Sequence, residues 1–174
     1  MGLRIDIRPG DDSWREIQPL VAVVYPPEVL ATIVWRDVTW ANADERVLVH
    51  HGERLVSVVG LYRRAGRHDG VSVRMGGIGG VMTHPEHRRR GFASAGMAEA
   101  RRLFASQAID FGLLFCEPKN LRFYGALGWS AFPGDVIVEQ PAGRGPFTLM
   151  ATMVLGCARA NPAGGVIDLC GLPW

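Results

Sequence analysis

The apolar positions of the chain follow two spacings, and each spacing predicts one kind of element. Apolar residues at every second position, or in short runs bounded by turn residues, predict strands, whereas apolar residues three and four apart predict helices. Strands are expected at residues 3–8, 46–50, 55–62, 71–83, 111–116, 136–139 and 149–155, and helices at residues 14–24, 27–35, 91–106 and 121–127. This mixture of elements predicts an α+β fold.

Residues that favour caps and turns separate these elements. Asp11-Asp12-Ser13 is expected to cap the first helix, and Pro26-Pro27 is expected to end it. His51-Gly52-Glu53 predicts a hairpin, and the polar, glycine-containing residues 64–70 predict a longer turn. The Pro/Gly segment 141–146 predicts the turn between the last two strands.

The C-terminal residues 158–174 have no helical or strand periodicity over their whole length, but they are apolar. Val166, Asp168 and Cys170 alternate with Ile167 and Leu169, which indicates a short strand or extended segment packed on the core. The chain contains neither an internal repeat nor an interdomain linker. Residues 1–174 are therefore expected to form one domain, with the tail 158–174 packed on it.

Composition restricts the class of protein. The chain has 174 residues, of which 48% are hydrophobic and 21% are charged, as in an ordinary globular domain. No apolar run approaches the ~20 residues that span a bilayer, and the charged, alternating N-terminus is unlike a signal peptide. We expect a cytoplasmic protein without a membrane partner. The net charge of +2 is too small to favour nucleic acid.

The cysteines and histidines do not form a metal-ligand pattern in the sequence. Cys116, Cys157 and Cys170 are widely spaced and form no C-x-x-C motif. The pairs His50-His51 and His84/His87 are interpreted as surface turn residues rather than ligands. We therefore expect no metal.

The most informative segment is residues 78–97, where a strand leads through a turn into a helix. His84-Pro85 ends the strand, and an arginine triplet at 88–90 precedes Gly91 and Ala93. Backbone N–H groups at such a turn and helix start bind anions, since the helix dipole favours negative charge there. The small residues leave the backbone accessible, and the segment therefore predicts a pyrophosphate site.

Other interpretations of this segment are a solvated basic turn or a nucleic-acid contact, and neither explains the Gly/Ala spacing or the preceding strand. A Rossmann or P-loop nucleotide site is excluded by spacing. Gly76-Gly77-Ile78-Gly79-Gly80 lies inside the strand and lacks the G-x-G-x-x-G pattern, and no G-x-x-x-x-G-K-[ST] motif is present.

Two motifs resemble the GNAT (Gcn5-related) N-acetyltransferases. Arg88-x-x-Gly91-x-Ala93 is similar to the family loop that binds the pyrophosphate of acetyl-CoA, and residues 120–129 are similar to its second signature, N-x-x-x-Y-x-x-x-G-[FW]. The resemblance implies the GNAT fold, a central mixed and mostly antiparallel sheet with a splayed central strand, flanked by about four helices. It also implies acetyl-CoA as cosubstrate.

The resemblance assigns residues to coenzyme binding. The strand end would pair with the pantetheine arm, the loop and helix start would hold the pyrophosphate, and Asn120 would hydrogen-bond the arm or cap its helix. Gly79 and Gly80 suit the bulge that splays the family's central strand, although they also suit close helix packing. The expected coenzyme-binding residues are Val81, Met82, Thr83, Arg88, Arg89, Arg90, Gly91, Phe92, Ala93, Ser94 and Asn120.

The resemblance places Tyr124 at the family position of the general acid. A phenol with a pKa of ~10 stays protonated at neutral pH and can donate its proton to a leaving thiolate. Without the motif, Tyr124 would be interpreted as a packing residue. The second catalytic candidate is Trp174, because the chain looks most like the aminoglycoside 2′-N-acetyltransferases, in which a terminal carboxylate lies in the acceptor pocket. Trp174 would contribute its α-carboxylate beside Asp168, or simply cover an apolar patch.

The acceptor side departs from those enzymes, because Gly79 aligns with their substrate-facing glutamate. Asp37, Glu45, Glu117 and Asp135 remain as acids that could reach a cationic acceptor. The expected function is direct acetyl transfer from acetyl-CoA to a primary amine of a small, aminoglycoside- or polyamine-like acceptor. Protein or peptide N-acetylation and a non-catalytic acyl-CoA-binding module are the alternatives, and a homodimer is compatible with each.

Overall fold

The structure is a computed structural model that describes residues 2–174. It contains ten strands: β1 (Leu3–Pro9), β2 (Glu45–His51), β3 (Arg54–His68), β4 (Val71–Thr83), β5 (Phe111–Cys116), β6 (Ser130–Ala131), β7 (Asp135–Gln140), β8 (Gly143–Pro146), β9 (Ala151–Gly156) and β10 (Val166–Asp168). The helices are α1 (Gly10–Val24), α2 (Pro27–Leu30), α3 (Phe92–Ser106) and α4 (Leu121–Ala126), with 3-10 turns at Pro85–His87 and Pro118–Asn120.

All ten strands belong to one sheet. Eight of them follow the order β6-β9-β5-β4-β3-β10-β7-β8, and β1 and β2 extend the sheet from β3. The pairs β4–β5 and β7–β10 are parallel, and the other pairs are antiparallel. The predicted α+β class, with a mixed and mostly antiparallel sheet and about four helices, is confirmed.

Alternation along β2 explains how the sheet holds helices on both faces. Val47 and Val49 are fully buried in the cluster formed with α3, whereas Leu48 between them packs with Ile17 and Leu20 of α1. Successive side chains of a strand point to opposite faces, so this apolar run serves two cores. A third cluster contains the C-terminal residues, which the structure packs against β4, β5 and β7.

The first helix begins earlier than predicted. It starts at Gly10 after Pro9, so Asp11, Asp12 and Ser13 lie in its first turn rather than at its cap. The Ser13 hydroxyl donates to the carbonyls of Pro9 (2.8 Å) and Gly10 (3.0 Å). Aspartates in the first turn of a helix interact favourably with its dipole, so Asp11 and Asp12 stabilise the start of α1 without capping it. The second helix is also shorter than expected.

The turn predicted at residues 64–70 is wrong. β3 continues to His68 and pairs with β4 at every residue from Gly60 to His68, and the hairpin turn is only Asp69-Gly70. Both turn residues have left-handed φ values, 48° and 80°, as a two-residue hairpin requires. Gly66 reflects close packing, because a Cβ there would lie 2.5 Å from the Asp168 carbonyl oxygen. Likewise, part of the predicted turn 141–146 is strand β8.

The interpretation of the histidines as surface turn residues is wrong for two of them. His50 is 3% exposed, and its Nε2 lies 3.1 Å from Glu16 Oε1, so it packs under α1. His84 is also buried, and its Nδ1 accepts a hydrogen bond from the Glu86 N–H. Position in a turn at the end of a strand did not determine exposure, because α1 and the β2–β3 hairpin cover these rings.

Within residues 2–174, no helix combines the length and the apolarity needed to cross a membrane.

The C-terminal strand offers a test of this packing. Ile167 is fully buried whereas its neighbour Val166 is 41% exposed, so Ile167→Ala should lower the free energy of unfolding by about 2–5 kcal/mol and Val166→Ala by much less. Urea unfolding of the two variants measures the difference. Equal, small effects would show that β10 does not pack on the core.

Candidate active site

The site begins where two parallel strands separate. β4 and β5 pair only over Met75–Ile78 and Phe111–Leu114, although β4 continues to Thr83 and β5 to Cys116. In the same region the register between β4 and β3 shifts, so that β4 contains one extra residue. Gly80 has a φ of 55°, which favours glycine. The bulge and the splay leave one backbone edge of β4 facing a gap.

A cleft of about 810 Å³ lies at the end of β4 and the start of α3. It is open enough for an extended ligand, since sites for drug-sized molecules span roughly 300–1,000 Å³. Of the residues expected to bind coenzyme, this cleft is lined by Val81, Met82, Thr83, Arg88, Arg89, Gly91, Phe92, Ala93, Ser94 and Asn120.

The loop before α3 has the backbone geometry of an anion site. Gly91 is the N-cap of α3 with a φ of 83°, and Arg89 also has a left-handed φ, 59°. Left-handed conformations in a turn direct successive N–H groups toward one side, and the N–H groups of the first helical turn have no carbonyl partner within the helix. A phosphate can accept these hydrogen bonds.

The three arginines of the loop do not point the same way. Arg88 donates from Nε to the Thr83 carbonyl at 3.3 Å and lines the cleft with Arg89. The guanidinium of Arg90 lies 5.4 Å from the centre of the Phe92 ring and 3.2 Å from His87 Nδ1. Phe92 and His87 both line the cleft, but Arg90 itself is not among the lining residues.

A second, smaller cleft of about 240 Å³ lies beside the first. Four residues line both clefts: Tyr25, Val81, Glu117 and Asn120. The two clefts therefore meet at these residues. Within residues 2–174, no hydrogen bond from the Asn120 side chain caps α4, so its cap role is not seen, and this side chain is available at the junction.

Tyr124 lines the smaller cleft next to this junction. Burial raises the pKa of its phenol above the usual value, and Cys116 and Tyr25 add to the shift. Burial also raises the pKa of the Cys116 thiol to about 11, with Glu117 adding to it. Both groups therefore remain protonated at neutral pH, and the Tyr124 hydroxyl keeps its proton in the cleft beside the point where the two clefts meet.

Trp174 is held in the smaller cleft by contacts on several sides. Its indole N–H donates to the Leu113 carbonyl at 3.0 Å, and its ring stacks on Tyr62 with centroids 5.8 Å apart. The Arg64 guanidinium lies 5.1 Å from the indole centre and donates to the Leu172 carbonyl. The ring is 3% exposed, so its position is fixed by the strands around it.

The backbone of Trp174 approaches β4 at Gly79. A Cβ at Gly79 would lie only 2.8 Å from the Trp174 carbonyl carbon. Glycine at this position therefore leaves space for the C-terminal residue, and any side chain there would displace it. Gly79 is thus adjacent to the carboxyl group of Trp174.

Of the acids considered from the sequence, the structure brings only Glu117 to a cleft lining. Asp168 was expected beside Trp174, but its carboxylate pairs with Arg144 and accepts from the Cys170 N–H at 2.9 Å. Burial alone would raise the pKa of Asp168, but these hydrogen bonds lower it. Glu45 pairs with Arg63. Asp168 is therefore a structural residue of the tail.

Ligand atoms of His84, Glu86 and His87 lie within 4.8 Å of one another, which the interpretation of these histidines as separate turn residues did not foresee. Arginine side chains already approach both rings: Arg54 lies 2.7 Å from His84 Nε2, and Arg90 approaches His87 Nδ1. These positive groups disfavour a cation at the same nitrogens.

The sequence did not identify several aromatic residues of the smaller cleft, namely Tyr25, Trp35, Trp40 and Tyr62. Three of them follow α1, in a region where a helix was predicted to residue 35 but α2 ends at Leu30. Tyr62 lies in a strand whose residues were all interpreted as core. Only the clustering of tryptophans at 35 and 40 in a polar loop could have drawn attention to them.

Comparison with known proteins agrees with this geometry. A family model described as an acetyltransferase (GNAT) domain matches residues 7–132. No curated protein gives a significant match. A structure from Enterococcus faecalis V583, described as a probable N-acyltransferase, superposes with a TM-score of 0.59 at 25% identity. The alignment covers 75% of this chain but 33% of that one, so the chain spans about a third of that protein's length.

Two further structures cover most of both chains. The Escherichia coli GNAT family N-acetyltransferase YhbS, in complex with CoA, has a TM-score of 0.62 at 14% identity, covering 96% of this chain and 89% of that one. A Brucella melitensis GNAT family acetyltransferase in complex with acetyl-CoA has a TM-score of 0.61 at 11% identity, covering 95% and 94%. These two likenesses show the fold, and the match over residues 7–132 shows the family. The chain belongs to the GNAT acetyltransferase family.

Proposed function

We propose that this acyltransferase moves an acetyl group from acetyl-CoA directly to the primary amine of a small acceptor. The observation that carries the proposal is the meeting of two clefts at Tyr25, Val81, Glu117 and Asn120. One cleft has an anion-binding loop, and the other contains a protonated tyrosine next to the junction. Two substrates bound in the two clefts would meet beside a proton donor.

The larger cleft would hold the coenzyme. The N–H groups of residues 89–94 and the side chains of Arg88 and Arg89 would bind the pyrophosphate, because the loop combines left-handed backbone with positive charge. Val81–Thr83 would pair with the pantetheine amides along the β4 edge that β5 leaves unpaired. Arg90 would contribute through its backbone N–H and its general positive charge.

Acetyl transfer would follow from this arrangement. The lone pair of the neutral amine attacks the thioester carbon, the C–S bond breaks, and the Tyr124 hydroxyl gives its proton to the departing thiolate. The acceptor nitrogen loses one proton as the amide forms, and the phenolate regains one, so an ammonium acceptor and acetyl-CoA yield the acetamide, free coenzyme A and one proton. Burial of Tyr124 keeps it in the acid form before the reaction.

A cationic acceptor is proposed. The resemblance to the aminoglycoside 2′-N-acetyltransferases predicts an aminoglycoside- or polyamine-like amine, whereas the aromatic lining of the smaller cleft favours an acceptor with a single ammonium group. The position of Glu117 at the junction of the clefts supports a positively charged acceptor, since the carboxylate is 31% exposed and faces the space between the two sites. Its ion pair with the exposed Lys119 is of the weak surface kind, which an ammonium group can replace.

Trp174 is proposed to act on the acceptor side through its α-carboxylate. The role requires a free carboxylate at this residue, and the proximity of its backbone to Gly79 supports it. A carboxylate there would attract the ammonium group and accept its proton. The packing of the indole serves in either case to fix the position of the carboxyl group.

Coenzyme binding and chemistry should respond to different substitutions. Gly91→Val should weaken acetyl-CoA binding tenfold or more, about 1.4 kcal/mol, because valine disfavours a φ of 83° and obstructs the backbone.

Tyr124→Phe should lower kcat roughly 10²-fold with the coenzyme Kd unchanged. Calorimetry and thiol release measure the two quantities.

Gly70→Val is the matched control for the loop variant, because Gly70 also has a left-handed φ, 80°, but lies in the β3–β4 turn with open space around it. It should leave the coenzyme Kd unchanged. Equal affinity in Gly91→Val and Gly70→Val would remove the loop from the site, and wild-type turnover in Tyr124→Phe would leave Tyr124 as a packing residue.

Amidation of Trp174 tests its role without removing the indole. A semisynthetic protein with a C-terminal carboxamide should lose acetyl transfer by tenfold or more while binding acetyl-CoA normally, since only the charge is removed. Thiol-release kinetics and calorimetry on the amidated and unmodified proteins provide the comparison. Full activity of the carboxamide would assign Trp174 a packing role alone.

A further inference from the structure

The smaller cleft is lined mainly by aromatic side chains. Its walls are formed by Tyr25, Trp35, Trp40, Tyr62, Phe115, Tyr124 and Trp174, together with the apolar residues Ile78, Val81 and Met150. A multiply charged acceptor needs a polar partner for each ammonium and hydroxyl group that it loses from water. Apart from Glu117, Asn120, Cys116 and the polar tips of the tyrosines and tryptophans, the side chains of this lining offer ring faces, ring edges and aliphatic groups.

The aromatic wall is held in a defined arrangement. Tyr25 and Trp35 meet edge to face with centroids 5.6 Å apart, and Trp35 and Trp40 do so at 5.9 Å. The loop that contains Trp40 is fixed to β7 by two 2.9 Å hydrogen bonds between the Thr39 backbone and the Gln140 amide. A prearranged wall of rings favours a planar apolar group, because aromatic pairs add stabilisation to the burial of surface.

The side chains of the cleft supply one negative charge, and the Trp174 α-carboxylate proposed above would face the same ammonium group. Among the lining residues that the structure describes, Glu117 is the only side chain that is charged at neutral pH. It lies at the junction with the coenzyme cleft, which is the end where the reacting nitrogen must be. The opposite walls are aromatic. The lining is therefore polar at the reacting end and apolar elsewhere.

The size of the cleft also favours a small acceptor with a single ring. Its volume of about 240 Å³ lies below the roughly 300–1,000 Å³ of sites that enclose drug-sized ligands. A single ring with a short aminoalkyl chain is a ligand of this smaller class, whereas an aminoglycoside of several sugar rings is not.

We infer that the acceptor is an arylalkylamine, a single primary amine on a short chain attached to an aromatic ring. The inference rests on the proposed acetyl transfer and names its substrate class. Trp35 and Trp40 bind the ring and determine specificity, and Glu117 binds the ammonium group. After loss of one proton, the amine nitrogen forms the new C–N bond as the thioester C–S bond breaks, and Tyr124 protonates the leaving sulfur.

A panel of amines tests the inference with the wild-type protein. Thiol release from acetyl-CoA is measured with 2-phenylethylamine, ethanolamine, spermidine and tobramycin. The value of kcat/KM for 2-phenylethylamine should exceed the others tenfold or more. Faster turnover of spermidine or tobramycin would overturn the arylalkylamine assignment and leave acetyl transfer to amines intact. No release with any amine would overturn both.

Substitutions in the aromatic wall provide the second measurement. Trp40→Ala should raise KM for 2-phenylethylamine tenfold or more, with KM for ethanolamine and for acetyl-CoA unchanged, because only the ring loses its contact. Trp14→Ala is the matched control, since Trp14 is 46% exposed on α1 and lies outside both clefts. An unchanged KM for 2-phenylethylamine in a folded Trp40→Ala protein would contradict the assignment.

Discussion

The separation of β4 from β5 is the constraint on which the rest of the site depends. Backbone N–H and C=O groups on a strand edge need partners, and β4 loses those of β5 beyond Ile78. The extra residue near Gly80 directs the strand out of register with β3 and opens the gap further. Both clefts lie along this opening. In the proposed function, the same departure from regular pairing would supply an edge for the coenzyme and a space for the acceptor.

The C-terminal residue Trp174 packs beside this opening and lines the smaller cleft. Trp174 hydrogen-bonds to β5 through Leu113 and stacks on Tyr62 of β3, so its ring joins the two strands that lie on either side of β4. Glycine at 77 and 79 is required for this fit, because a Cβ at either position would lie within 3 Å of Trp174 atoms. The glycine-rich sequence of β4 thus has two physical causes, the bulge and the seating of the tail.

The sequence predicted more of the lining of the larger cleft, proposed for the coenzyme, than of the smaller cleft, proposed for the acceptor. The loop at 88–93 and Tyr124 follow local motifs, and local spacing is sufficient to place a turn at a helix start. The acceptor wall is assembled from the loop after α1, from β3 and from the tail, and no spacing in the sequence brings Trp35, Trp40 and Tyr62 together. The arginine triplet did not indicate that Arg88 and Arg89 line the larger cleft whereas Arg90 is not among its lining residues.

Some strand boundaries were missed for a related reason. The segment 64–70 has the composition of a turn, yet it continues β3 because β4 and the tail strand β10 both pair with its end. His50 was expected at the surface from its place in the sequence, and Asp168 was expected beside Trp174 from the resemblance. In the structure, His50 lies beside Glu16 of α1, and Asp168 pairs with Arg144 of β8. Tertiary partners that are distant in the chain decided each of these cases.

A crystal structure with bound acetyl-CoA tests the central claim most directly, namely that the two clefts meet at the reacting atoms. The pantetheine arm should run along Val81–Thr83, and the thioester sulfur should lie within about 3.5 Å of the Tyr124 hydroxyl or one water away. The acetyl group should point into the aromatic cleft. A coenzyme whose sulfur lies outside the junction of the clefts, with Tyr124 beyond reach, would contradict the account.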